Sequence, residues 1–529
     1  MNSRAWAWLA VALVLIGAAA IRVRLLEVPL DRDEGEYAYF GQLLLSGVPP
    51  YAGAYNLKAP GIYGAYALVL AALGQTTAAV HTGLLLVTSL TTLLVCLLAL
   101  RLAGPLAAGV AAVLFGTQAL NPRILGIAAY AEHFVLVPVV AGWLVVTSPS
   151  RHRRALLTIA AGILFGLALL CKQSAAVFLA GGAASLLLPG APSDDETWPS
   201  RLKATALLVA GAVIPLVLVC LLLWRAGTLQ TFWFWSVVYG STYSAGLATG
   251  WTNLVRSVSA IAASISVTLA LAIVGLVAVA RRGGPARNPL LLLMASSCLA
   301  TAVGLHFRPH YFLLMLPALA IAAGLGLEAV ALIPIGARSI ALRVGVPAVI
   351  VAAALLQPIL TSRDVLFALA PDQVSRSIYG RNPFPESVEI ARYIRERTRP
   401  DERVAVIGSE PQIYFYSGRR SATGYIYTYP LMELQPYASA MQRQMIREVE
   451  AAAPRYLVFV SATRSWLVRP DSDQTIFGWF EQYQRSFTRV GVVDIVPRQE
   501  TVYRWGAEAR DYAPRSDVWL MVFERGRKP

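Results

Sequence analysis

Five carboxylates, Glu27, Asp31, Asp33, Glu34 and Glu36, crowd into ten residues of a chain whose first 360 residues hold only ten acids. A carboxylate held beside a reacting hydroxyl can take its proton as a general base. The plainer reading is that such acids are solvated loop charges, or satisfy free N–H groups at a helix start. For Glu27, Asp31 and Glu36 the plainer reading is the expectation. Asp33 and Glu34 differ, because they lead into a helical amphipathic pattern at 34–47 through Tyr37, Phe40, Leu44 and Leu45. On such a surface helix a carboxylate can face a lipid headgroup from an anchored backbone.

Cations that could meet these acids are scarce. The chain has four lysines, and Lys58 and Lys172 fall on the side of the apolar runs opposite to most arginines. An anionic partner on that side would explain both; the alternative is snorkelling to lipid phosphates. Glu132-His133 stands near the end of an apolar run, where an ionisable group is costly and functional by default. Arg308-Pro309-His310-Tyr311 opens another run. Arg308 can grip a phosphate at two points, which a lysine cannot. His310 is expected to donate a hydrogen bond rather than bind a metal. Two or three acids near a phosphate could hold Mg or Mn, yet the basic groups can do the same work. No cofactor is expected to be obligatory.

The elements that must position these groups are mostly membrane helices. Of 529 residues, 57% are hydrophobic and 14% charged, which excludes a protein soluble throughout and a disordered or collagenous one. Apolar stretches near the roughly 20 residues that cross a bilayer lie at about 6–24, 79–100, 104–119, 126–147, 155–171, 174–189, 204–224, 258–280, 289–305, 311–334 and 344–360. The first is followed by Arg22 and Arg24 without a small-residue cleavage site, so it reads as a retained span. Cys96, Cys171, Cys220 and Cys298 lie in or beside these runs and read as buried thiols. The net charge of +15 does not argue for nucleic acid, because no basic helix interleaved with aromatics is present.

With the N-terminus in the cytoplasm, the arginine-rich stretches 149–154, 191–203, 281–287 and 336–343 all fall inside, as the positive-inside bias requires. The same count puts 25–78, 120–125, 225–257, 306–310 and everything after 360 outside. Within 25–78, both 34–47 and the short apolar 62–74 suit the plane of the interface. Trp224, Phe232, Trp233, Phe234, Trp235 and Tyr239 form a second aromatic belt. Usage rich in Ala, Arg and Leu suggests a bacterial inner membrane.

Residues 361–529 hold 20 of the 30 acids and form a second body. Val404–Ile407, Tyr456–Val460, Val490–Val496 and Val518–Phe523 read as strands, and 385–398, 431–452 and 474–486 as helices, giving a soluble α/β domain with some parallel pairing. Gly408-Ser409-Glu410-Pro411 follows the first strand, where a nucleotide fingerprint would carry more glycine. Tyr414, Tyr416, Tyr425, Tyr427 and Tyr429 flank the pair Arg419-Arg420. They could stack on sugar rings and contact acceptor phosphates, or form a core edge with surface arginines.

The run Asp33-Glu34-Gly35-Glu36-Tyr37-Ala38, then Gly47-Val48-Pro49-Pro50-Tyr51, then Asn56-Leu57-Lys58-Ala59-Pro60 resembles the first outer loop of the GT-C glycosyltransferases. His310-Tyr311-Phe312-Leu313-Leu314-Met315-Leu316-Pro317 resembles a late span of that superfamily. The resemblance covers about 360 residues and is greatest to the branch of protein O-mannosyltransferases and the lipid A aminoarabinose transferase (glycosyltransferase family 39-like). It implies a GT-C transmembrane catalytic domain at 1–360 with an extracytoplasmic domain at 361–529. It also implies transfer of a sugar from a polyprenyl-phosphate donor to a lipid, glycan or protein hydroxyl on the outer face, with inversion. Asp33 matches the loop carboxylate taken as base, with Glu34 second. Lys58 matches the donor-phosphate contact, although Ala59 interrupts the commoner Lys-Pro. Arg308, His310, Tyr311 and Lys172 are expected around the same phosphate, and Glu132, His133 and Tyr37 are further candidates. The competing class is a polytopic lipid or glycan transporter, or flippase, with an exported ligand-binding domain; a nonenzymatic sensor is a third.

Overall fold

The structure is a computed structural model that describes residues 3–148, 154–188, 197–284, 286–332 and 340–526. The expected cytoplasmic stretches 149–154, 191–203, 281–287 and 336–343 each lie partly outside the described residues.

Among the described residues every expected apolar stretch contains a helix, although the fourth starts only at Ala131. The helices are α1 (Ser3–Arg24), α2 (Arg32–Leu45), α3 (Gly61–Leu73), α4 (Thr77–Leu102), α5 (Pro105–Gln118), α6 (Ala131–Val146), α7 (Arg154–Cys171), α8 (Ala176–Leu187) and α9 (Trp198–Arg225). After a short aromatic helical segment at 229–242 come α10 (Leu247–Arg282), α11 (Arg287–Ala302), α12 (Leu316–Ala331) with a tight 3₁₀ lead-in at Pro309–Met315, and α13 (Ile340–Thr361). Among the described residues, six helices are long and apolar enough to cross a membrane. The others, including α5, α6 and α8, are shorter apolar helices of 10–17 residues. The chain is a multi-pass membrane protein.

Two loop helices carry the site. Asp31 starts α2 by accepting from Glu34 N at 3.0 Å, while Glu34 Oε2 accepts from Asp31 N at 3.2 Å, a reciprocal cap that satisfies otherwise free N–H groups. The helix is therefore fixed from Arg32, two residues earlier than the amphipathic pattern suggests. Gly61 starts α3 where a Cβ would meet the backbone of Leu170 at 2.6 Å; only glycine lets α3 approach the end of α7 this closely. That crossing brings the Lys58 turn beside Gln173, whose Nε2 donates to Leu57 O at 2.6 Å.

All strands lie beyond α13: β1 (Val404–Ile407), β2 (Tyr456–Ser461), β3 (Phe487–Asp494), β4 (Val502–Trp505) and β5 (Trp519–Arg525). They form one sheet in the order β1-β2-β5-β3-β4. β1 pairs parallel with β2, Val404 opposite Tyr456, and the other pairs are antiparallel. Helices α14 (Pro371–Tyr379), α15 (Phe384–Arg397), α16 (Gln412–Ser417), α17 (Ala438–Ala452) and α18 (Thr475–Tyr483) accompany the sheet. The edge strand β4 was not expected, because Val-Tyr-Arg-Trp is too short and too exposed to show an alternation.

The polar face of α2 is not in water. Nearly every residue from Arg32 to Leu43 is buried, with Tyr37, Tyr39 and Phe40 in one cluster with Ile390, Val406, Ile413 and Tyr414 of the C-terminal part. Burial on this scale is worth roughly 1.5–3 kcal/mol per large side chain, so the sheet region is tied to the loop by a shared core. The four cysteines are free; Cys96 is buried, but Cys298 is exposed, against the expectation for it.

Candidate active site

Asp33 lies in the first turn of α2, and Lys58 reaches it from the turn before α3. Lys58 Nζ donates to Asp33 Oδ1 and to Glu36 Oε2, at 2.9 Å each. It also lies 4.5 Å from the centre of the Tyr37 ring, a cation–π contact. Tyr63 OH donates to Glu36 Oε1 at 2.9 Å, and Tyr427 OH donates to Asp33 Oδ1 at 3.0 Å. Asp33 Oδ2 accepts no hydrogen bond among the described residues, and the Asp33 side chain is 23% exposed.

Charge sets the protonation of this group. Burial alone would raise the Asp33 carboxyl, but the Lys58 ammonium, with Arg308 adding, holds it well below the usual carboxylate range. Burial pushes Glu36 up to about 7, with Lys58 opposing and Asp33 adding. Burial would lower Lys58, yet the two carboxylates hold it above the ordinary lysine value. Near neutrality the trio thus contains one fixed anion, one fixed cation and one acid on the edge of ionising.

A second cluster stands at the ends of α6, α7 and the lead-in to α12. Lys172 donates to Glu132 and lies 3.7 Å from the centre of the Tyr311 ring. His310 Nε2 is 3.9 Å from Glu132 Oε1, and its ring stacks on Tyr130 at 4.1 Å. Arg308 is exposed, and its Nη2 donates to Tyr243 OH at 3.5 Å. No carboxylate pairs with Arg308 among the described residues, whereas Lys58 and Lys172 are both neutralised by acids.

Other candidates have structural partners. Glu34 uses both oxygens: Oε1 accepts from Ala129 N at 2.6 Å and meets His81 Nε2 at 3.1 Å, while Oε2 caps Asp31. That leaves Glu34 no open oxygen for an acceptor proton. His133 is buried and, among the described residues, bonds to none of the other site groups. Asp31 is a helix cap, also bonded by Tyr130 OH. Glu36, expected as a solvated charge, is fully buried within the trio; its spacing of three from Asp33 on one helix face was the available signal. Arg419 is not a ligand-facing group, since it donates to the carbonyls of Arg395, Ser417 and Thr398.

The residues do not fit a bound divalent ion. Lys58 occupies the space between Asp33 and Glu36, and among the described residues no three His, Cys, Asp or Glu side chains gather as a ligand set.

The architecture, a polytopic helical body whose first loop helices pack against a small mixed sheet, is shared with solved membrane proteins. No family model matches the sequence, and no curated protein matches it either. Among solved structures, ArnT from Cupriavidus metallidurans in the apo state is 14% identical over 98% of this chain and 99% of that one, with a TM-score of 0.58. The same protein bound to undecaprenyl phosphate is 15% identical over 85% of this chain and 93% of that one, TM-score 0.57. The archaeal oligosaccharyltransferase AglB from Archaeoglobus fulgidus, in complex with an inhibitory peptide and a dolichol-phosphate, is 14% identical over 96% of this chain and 75% of that one, TM-score 0.52.

Proposed function

We propose that this protein is an inverting glycosyltransferase that moves a sugar from a polyprenyl-phosphate donor to an acceptor hydroxyl on the outer face of the membrane. The observation that carries the reading is Asp33: a carboxylate held ionised by Lys58 and Arg308, with Oδ1 bound by Lys58 and Oδ2 accepting no hydrogen bond among the described residues. Solved proteins of the same fold, bound to undecaprenyl phosphate and dolichol-phosphate, support the donor class.

The chemistry follows from where charge moves. The acceptor oxygen attacks C1 of the sugar as the C1–O bond to phosphate breaks. Asp33 Oδ2 takes the acceptor proton, and the electron pair of the broken bond leaves on the polyprenyl phosphate. Opposite-face attack inverts the anomeric centre. Arg308 receives the growing phosphate charge, with Lys172 and His310 beside it. Lys58 serves both ends: it orients Asp33 at rest, and a donor phosphate arriving beside it would draw off part of its charge and make Asp33 a stronger base.

The transporter alternative expects ionisable groups and broken helices at mid-span. Here Asp33, Lys58, Glu132, Lys172 and Arg308 sit in loops or at helix ends. The C-terminal part, 361–529, is proposed as an extracytoplasmic domain and the N-terminus as cytoplasmic. Purified protein in liposomes, given a polyprenyl-phosphate sugar and an extract of envelope acceptors, should release free polyprenyl phosphate in step with glycosylated product. Flipping of the donor between leaflets without its cleavage would replace this reading with the transporter.

A further inference from the structure

The open oxygen of Asp33 depends on the sheet region, not only on the membrane body. Tyr427 lies 394 positions from Asp33 in the chain, yet its hydroxyl donates to Asp33 Oδ1 at 3.0 Å. The Tyr427 ring is buried and meets Tyr429 edge-on at 5.3 Å. Its backbone is held in turn: Thr428 N donates to Ser409 Oγ at 3.0 Å, and Ser409 Oγ donates to Ser465 O at 2.5 Å.

The contact is in register because the residue before Asp33 is clamped to the same segment. Arg32 donates from Nε to Ser409 O at 2.7 Å, from Nη1 to Asn382 Oδ1 at 2.8 Å and from Nη2 to Glu410 Oε1 at 2.7 Å. One residue after Glu34, the Gly35 Cα faces α16 so closely that a Cβ there would stand 2.6 Å from Gln412 Cβ. Asp33 is thus flanked on both sides by contacts that fix it against 409–428. With Lys58 and Tyr427 both on Oδ1, the carboxylate cannot rotate to exchange its two oxygens without breaking two hydrogen bonds.

We propose that Tyr427 is a positioning residue for the Asp33 carboxylate: together with Lys58 it pins Oδ1 and so presents Oδ2 to the acceptor hydroxyl, which makes the C-terminal part a component of the active site. The proposal rests on the transferase reading for its catalytic consequence, but the positioning itself does not.

Tyr427→Phe keeps the ring and its packing and removes only the donor. The full-length variant is compared with the native protein in liposomes by two readouts. In steady-state transfer, kcat should fall roughly tenfold with the KM for the polyprenyl-phosphate donor within about twofold, as expected when a charge-assisted hydrogen bond that orients a base is lost. In infrared difference spectra at neutral pH, native minus Asp33→Asn is set against Tyr427→Phe minus the double variant. The antisymmetric carboxylate stretch of Asp33 should move when the phenol is absent. An unmoved carboxylate band, an unchanged kcat, or a loss expressed only in donor KM overturns the proposal. A moved band in a protein that transfers no sugar overturns the transferase reading and leaves the positioning of Asp33 standing.

Discussion

The Lys58 ammonium lies 2.9 Å from Asp33 Oδ1 and an equal distance from Glu36 Oε2, so one lysine holds two carboxylates of a single helix face. Removing it leaves two acids facing each other with little water. Lys58→Met should cost about 3 kcal/mol, the lower end for breaking a buried ion pair because Lys58 and Asp33 keep some exposure, and the loss should be larger at pH 8 than at pH 6 because Glu36 is then ionised. Thermal unfolding in detergent at both pH values measures this. Adding Glu36→Gln should recover much of the loss at pH 8.

Glu36 is the group that responds to pH near neutrality. Its folded value of about 7 stands above the ordinary glutamate value of 4.5, so its favourable neutral form is fully present below pH 4.5 and is lost as pH rises through 7. Above pH 7 the site gains a negative charge beside an anionic donor. Donor KM should rise between pH 6 and pH 8, and Glu36→Gln should flatten that rise. Asp33, held low, remains ionised over the whole range and contributes no slope. Steady-state kinetics at several pH values checks both statements.

Arg308 is the site cation with no carboxylate partner among the described residues. Arg308→Ala should raise donor KM about 10- to 100-fold, the range for a hydrogen bond to a charged group. Arg308→Lys should restore only part of it, because a lysine lacks the two-point grip. Equal KM values for Arg308→Lys and native protein would remove the two-point contact.

Gly35 is where the loop helix meets α16. A Cβ there would stand 2.6 Å from Gln412 Cβ and 2.8 Å from its Cα, so the backbone itself must shift. Gly35→Ala should destabilise by about 1–3 kcal/mol, as overpacking does, and should speed protease cleavage between α13 and β1. Limited proteolysis followed on gels gives the comparison.

The membrane helices were legible because apolar runs of this length have few other uses, and the helix of Asp33 because Tyr37, Phe40, Leu44 and Leu45 fall at amphipathic helical spacing. Asp31 was legible only as a solvated charge or a helix-start cap, and the fold makes it the cap. Strand–helix alternation implied some parallel pairing, which the β1–β2 pair supplies, whereas β4 left no pattern to read. Glu36 was misread because its spacing from Asp33 puts both on one helix face but cannot reveal that Lys58 and Tyr63 fold over that face. Tyr427 was seen only as part of an aromatic run. Its bond to Asp33 joins the two ends of the chain, and no periodicity in either segment encodes that distance. The partners of Glu34 were hidden for a related reason, since Ala129 and His81 approach it from elements far away in sequence.

The central claim is that Asp33 accepts the proton of the acceptor. The most direct measurement is single-turnover transfer from a polyprenyl-phosphate sugar by Asp33→Asn in liposomes, with donor binding and folded yield recorded on the same sample. The account predicts a rate lowered by about 10²- to 10⁴-fold with donor binding and yield retained. Transfer at the native rate by Asp33→Asn would contradict it.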